Sequence, residues 1–526
     1  MISTKYKKII FPLLSVTATG ILFSCGNASR DQAGTSGRKP NIVYILADDL
    51  GYAQLGCYGQ QKIETPNIDA LAANGMIFTQ HYSGAPLCAP SRCVLLTGKH
   101  TGHAQIRAND EWGKRGEVWD YVKTQENPEL EGQYPLKAGT QTIASILQKE
   151  GYKTALVGKW GLGGPETEGA PNKLGFDFFF GHNCQRQAWN YYPRYLWKDT
   201  IKVWLNNELI IPGTKDKKAK LPKGADPKDE NSYSAFSSNE YAPERMQKEA
   251  IVFIRENKEQ PFFLYYATPI PHAALQAPKH WIDHYREKFG DEEPYSGEKN
   301  YFPTRYPHAT YAAMVSYLDE QVGELVTILK ELGLYENTLI IFASDNGPAN
   351  AGGSDSPWFD SAKPFKCGPG WGKGELTEGG IRVPMIAHWS GRIKAGQQTN
   401  LISAFYDVLP TLCDVAEIET PHDSDGISFL PTLLGEKKQR THDFLYWEFP
   451  GAGGQQAIRM EKWKGVRRNI LKDSLRVQLY NLDEDIQELT DVSSRYPEIV
   501  QQMEKLFEQE HQTPENETFR MKTLGD

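Results

Sequence analysis

The chain has 526 residues, with 58 Lys and Arg against 66 Asp and Glu, and a formal net charge of -8 at pH 7. This length supports a large buried core divided between two domains, and the acidic balance argues against nucleic acid as the main partner. The seven cysteines include no CxxC pair, which leaves a zinc ribbon without support.

The first 25 residues are predicted to form an export signal. Lysines precede the apolar run Ile9–Phe23, and the run leads into Ser24 and Cys25, as in a signal peptide. This ending resembles the lipobox of bacterial lipoproteins, which implies that Cys25 is lipidated and that residues 26–38 form a tether. We therefore expect an exported lipoprotein, periplasmic or anchored at the outer membrane, that contacts the membrane through its lipid.

A carboxylate pair follows the first predicted strand. Asn41–Ala47 is a continuous apolar run of the buried parallel-strand type, and Asp48 and Asp49 come directly after it. Open α/β sheets place their sites at such strand ends. Because adjacent carboxylates are hard to keep ionised without a cation nearby, we favour a metal site here. An Asp helix cap is the alternative interpretation.

The stretch 86–99 reads P-L-C-A-P-S-R-C-V-L-L-T-G-K. Pro90 suits the first position of a helix, so Cys88 is expected just before the helix N-terminus, where negative charge is favoured. Arg92, one turn further on, can reach back towards the group at position 88. A buried structural cysteine also fits this pattern taken alone.

Polar residues also follow three later predicted strands. The strands and the residues after them are Thr154–Val157 with Lys159, Pro261–Thr268 with His272, and Thr338–Ser344 with Asp345 and Asn346. Lys159 can donate to an anion and His272 can act as a general acid, although a solvated lysine and a merely hydrogen-bonded histidine are the common alternatives. Asp345 and Asn346 repeat the pair after the first strand, and the combined oxygen ligands fit Ca²⁺, with Mg²⁺ second.

The remaining sequence holds an aromatic-rich segment, a glycine-rich segment and a C-terminal region. Residues 180–240 are irregular and contain Trp189, Tyr191, Tyr192, Tyr195, Trp197 and Trp204. They suit either a sugar-binding wall or the packing of a long insertion. The glycine-rich residues 372–384 add Lys373 as a further cation, and alternating runs around 444–448, 463–467 and 477–482 predict a small antiparallel sheet before a helix over Pro497–Gln509.

These motifs together resemble the type I sulfatases of the alkaline-phosphatase-like superfamily. The motifs that carry the resemblance are Asp48-Asp49, C-x-P-x-R with T-G-K over 88–99, G-K-W at 158–160, Pro271-His272, Asp345-Asn346-Gly347, the glycine-rich 372–384 and L-Y-N-L-D-E-D at 479–485. The resemblance implies an α/β fold, a sandwich with a large mixed, mostly parallel sheet flanked by helices, over residues 39–440. It also implies a smaller C-terminal α+β domain with an antiparallel sheet over residues 441–526.

The resemblance implies a sulfuric ester hydrolase in which a formylglycine-generating maturation enzyme oxidises Cys88. One hydroxyl of the hydrated aldehyde attacks sulfur, and the second later collapses to expel sulfate. The implied calcium ligands are Asp48, Asp49, Asp345, Asn346 and the modified residue 88. Arg92 and Lys99 are then expected to hold the formylglycine, while Lys159, His272 and Lys373 contact the sulfate, with His272 as the acid for the leaving alcohol.

One position departs from this pattern. Many members read G-K-W-H-L-G, whereas Gly161 stands here in place of the histidine. We interpret this difference as room for a differently shaped leaving group.

The expected substrate is a sulfated glycan, attacked in the exo mode and carrying galactose or N-acetylgalactosamine sulfate. The candidate sugar contacts are His103, Arg107, Asn109, Arg186 and Asn190. Two alternatives remain open at this point. One is a phosphonate or phosphodiester hydrolase of the same superfamily, and the other is a non-catalytic glycan-binding lipoprotein in which Cys88 is never matured.

Overall fold

The apolar runs of the sequence form the strands of one large and two small sheets. The computed structural model describes residues 38–213, 219–297 and 301–526. In chain order the strands are β1 (Asn41–Ala47), β2 (Met76–Phe78), β3 (His81–Tyr82), β4 (Lys153–Lys159), β5 (Phe178–His182), β6 (Tyr195–Lys198), β7 (Ile201–Trp204), β8 (Phe262–Ala267), β9 (Thr338–Ser344), β10 (Met385–His388), β11 (Gln397–Thr399), β12 (Ser403–Ala404), β13 (Leu445–Phe449), β14 (Gln455–Met460), β15 (Trp463–Arg468) and β16 (Val477–Asn481).

The large sheet has ten strands in the order β11-β2-β10-β9-β1-β8-β4-β5-β6-β7. Its central strands β9, β1, β8, β4 and β5 are parallel, whereas β10, β6 and β7 join antiparallel. The carboxyl ends of the parallel strands therefore meet along one edge of the sheet, which is where α/β folds place their sites.

Helices cover both faces of this sheet. They are α1 (Pro66–Ala73), α2 (Cys88–Thr97), α3 (Tyr121–Glu126), α4 (Ile143–Lys149), α5 (Ala242–Glu256), α6 (Lys279–Phe289), α7 (Pro307–Glu331), α8 (Glu378–Ile381), α9 (Val408–Val415), α10 (Leu430–Leu433) and α11 (Pro497–Glu510). Side chains of β1 alternate between two cores, since Ile42 and Tyr44 pack with α2, α4 and α9, while Val43 and Ile45 pack with α1, α5 and α7. The result is the α/β sandwich that the sequence predicts.

A separate antiparallel sheet, β13-β14-β15-β16, lies near the C-terminus and packs against α11. Strand β14 was absent from the sequence prediction because its sequence, Q-Q-A-I-R-M, lacks a clear alternation of apolar and polar residues. Residues 39–526 form one compact unit, and the division at 440/441 stays a prediction from the sequence.

The start of helix α2 differs from the sequence prediction, and the predicted export signal lies outside the described residues. Helix α2 begins at Cys88, with Leu87 as its extended N-cap, so Cys88 is in the first turn and Pro90 is the third helical residue. The predicted signal peptide, Cys25 and residues 26–37 lie outside the described residues. In the described ranges, no helix combines the length and the apolar character that crossing a membrane requires.

Candidate active site

The parallel strands deliver polar residues to one edge of the large sheet. Asp48 follows β1, Asp345 follows β9, Lys159 is the last residue of β4, and the loop after β8 holds His272. Because β9, β1, β8 and β4 are adjacent and parallel, four residues that are far apart in sequence come together. The start of α2 adds Cys88 to this group.

Cys88 lies at the centre of the cluster and is 1% exposed. Its Sγ is 3.3 Å from Asp48 Oδ1, 3.8 Å from Asp49 Oδ1 and 3.4 Å from Lys373 Nζ. Burial, followed by the charge of Asp48, raises the pKa of the Cys88 thiol above its usual range. An unmodified thiol at this position therefore stays protonated and is a poor nucleophile.

Three buried carboxylates and an amide oxygen form a set of hard ligands beside Cys88. Asp48, Asp49 and Asp345 are at most 3% exposed. Asn346 Nδ2 donates to Asp49 Oδ1 at 2.8 Å, whereas the buried Asn346 Oδ1 has no hydrogen-bond partner among the described residues. An orphaned buried acceptor beside like charges fits a cation of the calcium class, which takes carboxylate and amide oxygens.

The backbone and the electrostatics of these carboxylates agree with a functional site. Asp49 has φ 67, in the left-handed region, a strain that proteins keep mainly at such sites. Burial and the charge of Asp48 raise the pKa of Asp345 to about 6. Burial also disfavours the charged form of Asp48, but Lys159, His272 and Arg92 hold the pKa of this carboxyl well below its usual range.

Three cationic side chains each contact one of the carboxylates. Arg92 Nε and Nη2 donate to Asp345 Oδ2 at 3.0 and 2.9 Å. Lys159 Nζ donates to Asp48, and Lys373 Nζ lies 2.7 Å from Asp49 Oδ1. The Arg92 guanidinium thus orients the Asp345 carboxylate, and its expected role in holding the modified residue 88 stays a prediction.

His272 adjoins the same cluster on its aromatic side. Its Nε2 is 3.7 Å from Asp49 Oδ2, and burial together with the Lys373 charge lowers its pKa to about 4. The Trp189 ring lies 6.5 Å from the imidazole and stacks on it at 17°, and Tyr301 lies 5.9 Å from His272 and 5.2 Å from Trp189. Sequence patterns did not single out Tyr301, which belongs to no motif.

The rest of the aromatic-rich segment mainly packs the fold. Tyr191, Tyr195 and Trp197 are buried, and β6 and β7 extend the large sheet. Trp204 is 56% exposed on the edge strand β7. Two members of this group contact His272: the Trp189 ring stacks on its imidazole, and the Tyr191 hydroxyl donates to its backbone carbonyl at 2.8 Å.

Lys99 does not lie near Cys88. Its Nζ pairs with Asp423 at the surface, 2.5 Å away, and the side chain is 32% exposed. The reason is geometric: Cys88 begins α2, Lys99 follows its C-terminal end, and the ten residues of this helix span about 15 Å. The expected role of Lys99 in holding the modified residue is therefore corrected.

All five candidate sugar contacts have hydrogen-bond partners within the protein. His103 Nδ1 lies 2.9 Å from Asp425 Oδ1, Arg107 pairs with Glu448, Arg186 pairs with Glu111, and Asn190 Nδ2 donates to the carbonyls of Tyr192 and Ile210. Their role as direct sugar contacts stays a prediction from the sequence. Asn109 lies beside the site, because its Oδ1 accepts from the backbone N–H of Ala89 at 3.1 Å.

Gly161 does not leave an open space. It has φ 96, and an ideal Cβ built on it would lie 2.8 Å from Cδ of Gln185. Gln185 Nε2 donates to Asn109 Oδ1 at 3.4 Å, while the buried Gln185 Oε1 lacks a hydrogen-bond partner among the described residues. The room expected here for a differently shaped leaving group is therefore filled by Gln185, a residue that sequence reasoning missed.

Comparisons with known proteins show the family to which this fold belongs. The family described as Sulfatase matches residues 40–418, and the family described as N-sulphoglucosamine sulphohydrolase, C-terminal, matches residues 370–513. N-acetylgalactosamine-6-sulfatase of Rattus norvegicus is 32% identical over 439 residues, which cover 81% of this chain and 70% of the relative. Arylsulfatase A of Homo sapiens is 34% identical over 443 residues, covering 81% and 74%.

A solved structure gives the same result. Ps i-CgsB, also solved in complex with k-i-k-neocarrahexaose, is 28% identical with a TM-score of 0.69, and the match covers 91% of this chain and 94% of that one. The fold is that of an alkaline-phosphatase-like hydrolase. The chain belongs to the sulfatase family, and its activity is that of a sulfuric ester hydrolase.

Proposed function

We propose that the chain is a calcium-dependent, exo-acting sulfatase of sulfated glycans whose nucleophile is a formylglycine formed from Cys88. The observation that carries this proposal is the position of Cys88 in the first turn of α2, between two buried carboxylates and Lys373. Its thiol, with a raised pKa, does not suit direct attack. Formylglycine supplies a hydrated aldehyde, whose hydroxyl attacks sulfur and whose second hydroxyl lets sulfate leave.

Asp48, Asp49, Asp345 and Asn346 are the protein side chains proposed to hold the metal ion. Oxygen donors in this number favour Ca²⁺ over Mg²⁺, since Ca²⁺ accepts six to eight oxygen ligands in a flexible geometry. When bound, Ca²⁺ supplies positive charge beside the ester and the group at position 88. Arg92 keeps Asp345 in place for this set through two hydrogen bonds to one oxygen.

Lys159, Lys373 and His272 are proposed to act on the sulfate ester itself. The two ammonium groups lie beside Asp48 and Asp49. A sulfuryl group bound there meets their positive charge at the oxygens on which negative charge develops in the transition state. His272 Nε2 faces the same cluster and is the proton donor proposed for the leaving alcohol. An anionic ester favours the protonated imidazole, which offsets its lowered pKa.

The substrate proposal rests on the aromatic surroundings of His272 and on the relatives. Trp189 and Tyr301 form an aromatic wall beside the proton donor, and such faces pack against the apolar face of a sugar ring. The similar proteins named above include an N-acetylgalactosamine-6-sulfatase and a structure in complex with neocarrahexaose. We therefore favour galactose or N-acetylgalactosamine sulfate at a chain end.

The anchor remains a proposal from the sequence. Cys25 follows an apolar signal and Ser24, so we propose an exported lipoprotein that is periplasmic or held at the outer membrane. Growth with a radiolabelled fatty acid is expected to label the wild-type protein and not Cys25→Ala. Equal labelling of both would contradict the anchor.

The experiment for the nucleophile is the mass of the Cys88 peptide after co-expression with a formylglycine-generating enzyme. We expect a peptide about 18 Da lighter than the thiol form, together with sulfate release from sulfated galactose and N-acetylgalactosamine. Cys88→Ala should lose the activity, whereas Cys93→Ala, a buried cysteine on the same helix, should retain it. An unmodified thiol alongside a matured control sulfatase would favour a glycan-binding protein, and turnover of phosphodiesters alone would favour the phosphodiester hydrolase.

A further inference from the structure

An exposed tryptophan continues the aromatic wall beyond the catalytic cluster. Trp119 is 46% exposed, and its ring centre lies 5.8 Å from that of Trp189, which itself stacks on His272 at 6.5 Å. A continuous line of rings thus leads from the proposed proton donor to the protein surface.

The backbone around Trp119 is held firmly. Its neighbours Val118 and Tyr121 are 2% and 7% exposed, and the Tyr121 hydroxyl donates to the carbonyl of Arg186 at 2.9 Å. Asp120 caps α3 by accepting from the backbone N–H groups of Val122 and Lys123. With these anchors on both sides, Trp119 is presented to solvent by a fixed segment.

Arg186 supports the Trp119 ring from within the protein. Its guanidinium carbon lies 5.3 Å from the ring centre, and the side chain is 2% exposed and paired with Glu111. A buried, paired arginine against an aromatic face restricts the ring without blocking its solvent side. Arg186, expected from the sequence to contact sugar, thus supports an aromatic surface.

We propose that Trp119, fixed on Arg186 and continuous with Trp189, is the platform of a second sugar subsite, which binds the unit next to the sulfated end sugar. The inference rests on the proposed glycan sulfatase activity and extends it to an oligosaccharide substrate. The Trp189 ring centre lies 6.5 Å from that of His272 and 5.8 Å from that of Trp119. A sugar stacked on Trp189 beside His272 therefore directs its glycosidic link towards Trp119. The apolar face of the second sugar ring then covers the exposed indole. Because the Trp119 side chain is already fixed before binding, this contact costs little conformational entropy.

The experiment compares substrates of different length on the matured wild-type enzyme. N-acetylgalactosamine 6-sulfate is compared with a disaccharide and a trisaccharide that carry the same sulfated sugar at the non-reducing end. We expect kcat/KM to rise from the monosaccharide to the disaccharide. Trp119→Ala should lower kcat/KM for the longer substrates about 5- to 10-fold, mainly by raising KM, and should leave kcat/KM for the monosaccharide unchanged. Trp119→Phe, which keeps an aromatic face, should restore part of the loss.

Trp204→Ala is the matched control, because Trp204 is 56% exposed on the edge strand β7 and belongs to no wall beside His272. It should leave all three substrates unchanged. Binding of the trisaccharide to Cys88→Ala, measured by calorimetry with and without Trp119→Ala, reports the subsite without turnover. If the wild type has equal kcat/KM for all three lengths, or if Trp119→Ala loses as much activity on the monosaccharide as on the longer substrates, the second subsite is overturned while the sulfatase activity stands. If the trisaccharide is neither hydrolysed nor bound, the substrate proposal is overturned as well.

Discussion

Gln185 occupies the space that a side chain on Gly161 would need, since its Cγ and Cδ both lie 2.8 Å from an ideal Cβ at position 161. Gly161→His therefore combines a steric clash with the cost of φ 96 for a residue other than glycine. We expect the free energy of unfolding to fall by about 2–4 kcal/mol, measured by denaturant unfolding.

Gly59→His separates the two costs. Gly59 has φ 99 and nothing within 4 Å of an ideal Cβ, so this variant bears only the backbone strain. It should be destabilised less than Gly161→His, and adding Gln185→Ala to Gly161→His should recover the difference. Equal destabilisation at both positions would show that the clash with Gln185 is unimportant.

His272→Ala tests the proton donor through the leaving group. A sugar alcohol needs a proton as its bond to sulfur breaks, whereas nitrophenolate leaves without one. We expect hydrolysis of the sugar sulfate to fall roughly 10²- to 10⁴-fold and that of nitrophenyl sulfate to fall much less. The exposed His280→Ala serves as the control. Equal losses on both esters would contradict the acid role.

Metal removal tests the carboxylate cluster. Asp48, Asp49 and Asp345 repel one another in a buried site, so a bound cation should stabilise the fold by about 3 kcal/mol at a hundred times its dissociation constant. Thermal melting should therefore shift upwards when Ca²⁺ is added to chelated protein. The shift should shrink in Asn346→Ala and persist in the control Asn74→Ala, since Asn74 is exposed and is not one of the proposed ligands. An undiminished shift in Asn346→Ala would remove Asn346 from the ligand set.

The C-terminal sheet is tied to the glycine-rich segment by a buried lysine. Lys464 on β15 is 0% exposed, and its Nζ lies 2.8 Å from Glu378 Oε1 and 3.2 Å from Glu488 Oε1. Lys464→Met leaves two buried carboxylates without this partner, and we expect a loss of about 3–5 kcal/mol in the free energy of unfolding. The exposed neighbour Lys462→Met should change stability by no more than ~0.5 kcal/mol; comparable losses would show that the ion pairs contribute little.

His442 predicts a pH dependence of stability. Burial opposes its charged form, but Asp407, whose Oδ1 lies 2.6 Å from Nε2, raises the pKa of His442 above 6.5. Since the folded pKa exceeds the unfolded one, the stabilisation is complete below the unfolded value and is lost as the pH rises through the folded value. The melting temperature of His442→Gln should therefore fall below that of the wild type more at pH ~5.5 than at pH ~9. A difference that does not vary with pH would contradict this charge pairing.

Features encoded in continuous stretches could be predicted from the sequence. The apolar runs 41–47 and 338–344 coincide with β1 and β9, because a parallel strand buried on both faces needs unbroken hydrophobicity. Asp48 and Asp345 follow those strands, and parallel pairing of neighbouring strands then brings them together. The sulfatase family, confirmed by the comparisons, follows from the same local motifs.

Partners that meet only through folding were decided by the tertiary structure. The guanidinium of Arg92 binds Asp345, and the surface aspartate Asp423 is the partner of Lys99. Neither partner is marked by any spacing within a motif. Likewise Gln185 at Gly161 and Trp119 on Arg186 result from loops packed across the sheet edge. Periodicity and strand ends therefore determine where polar groups converge, whereas the packing of distant loops decides which groups touch, since contacts between distant segments leave no local pattern.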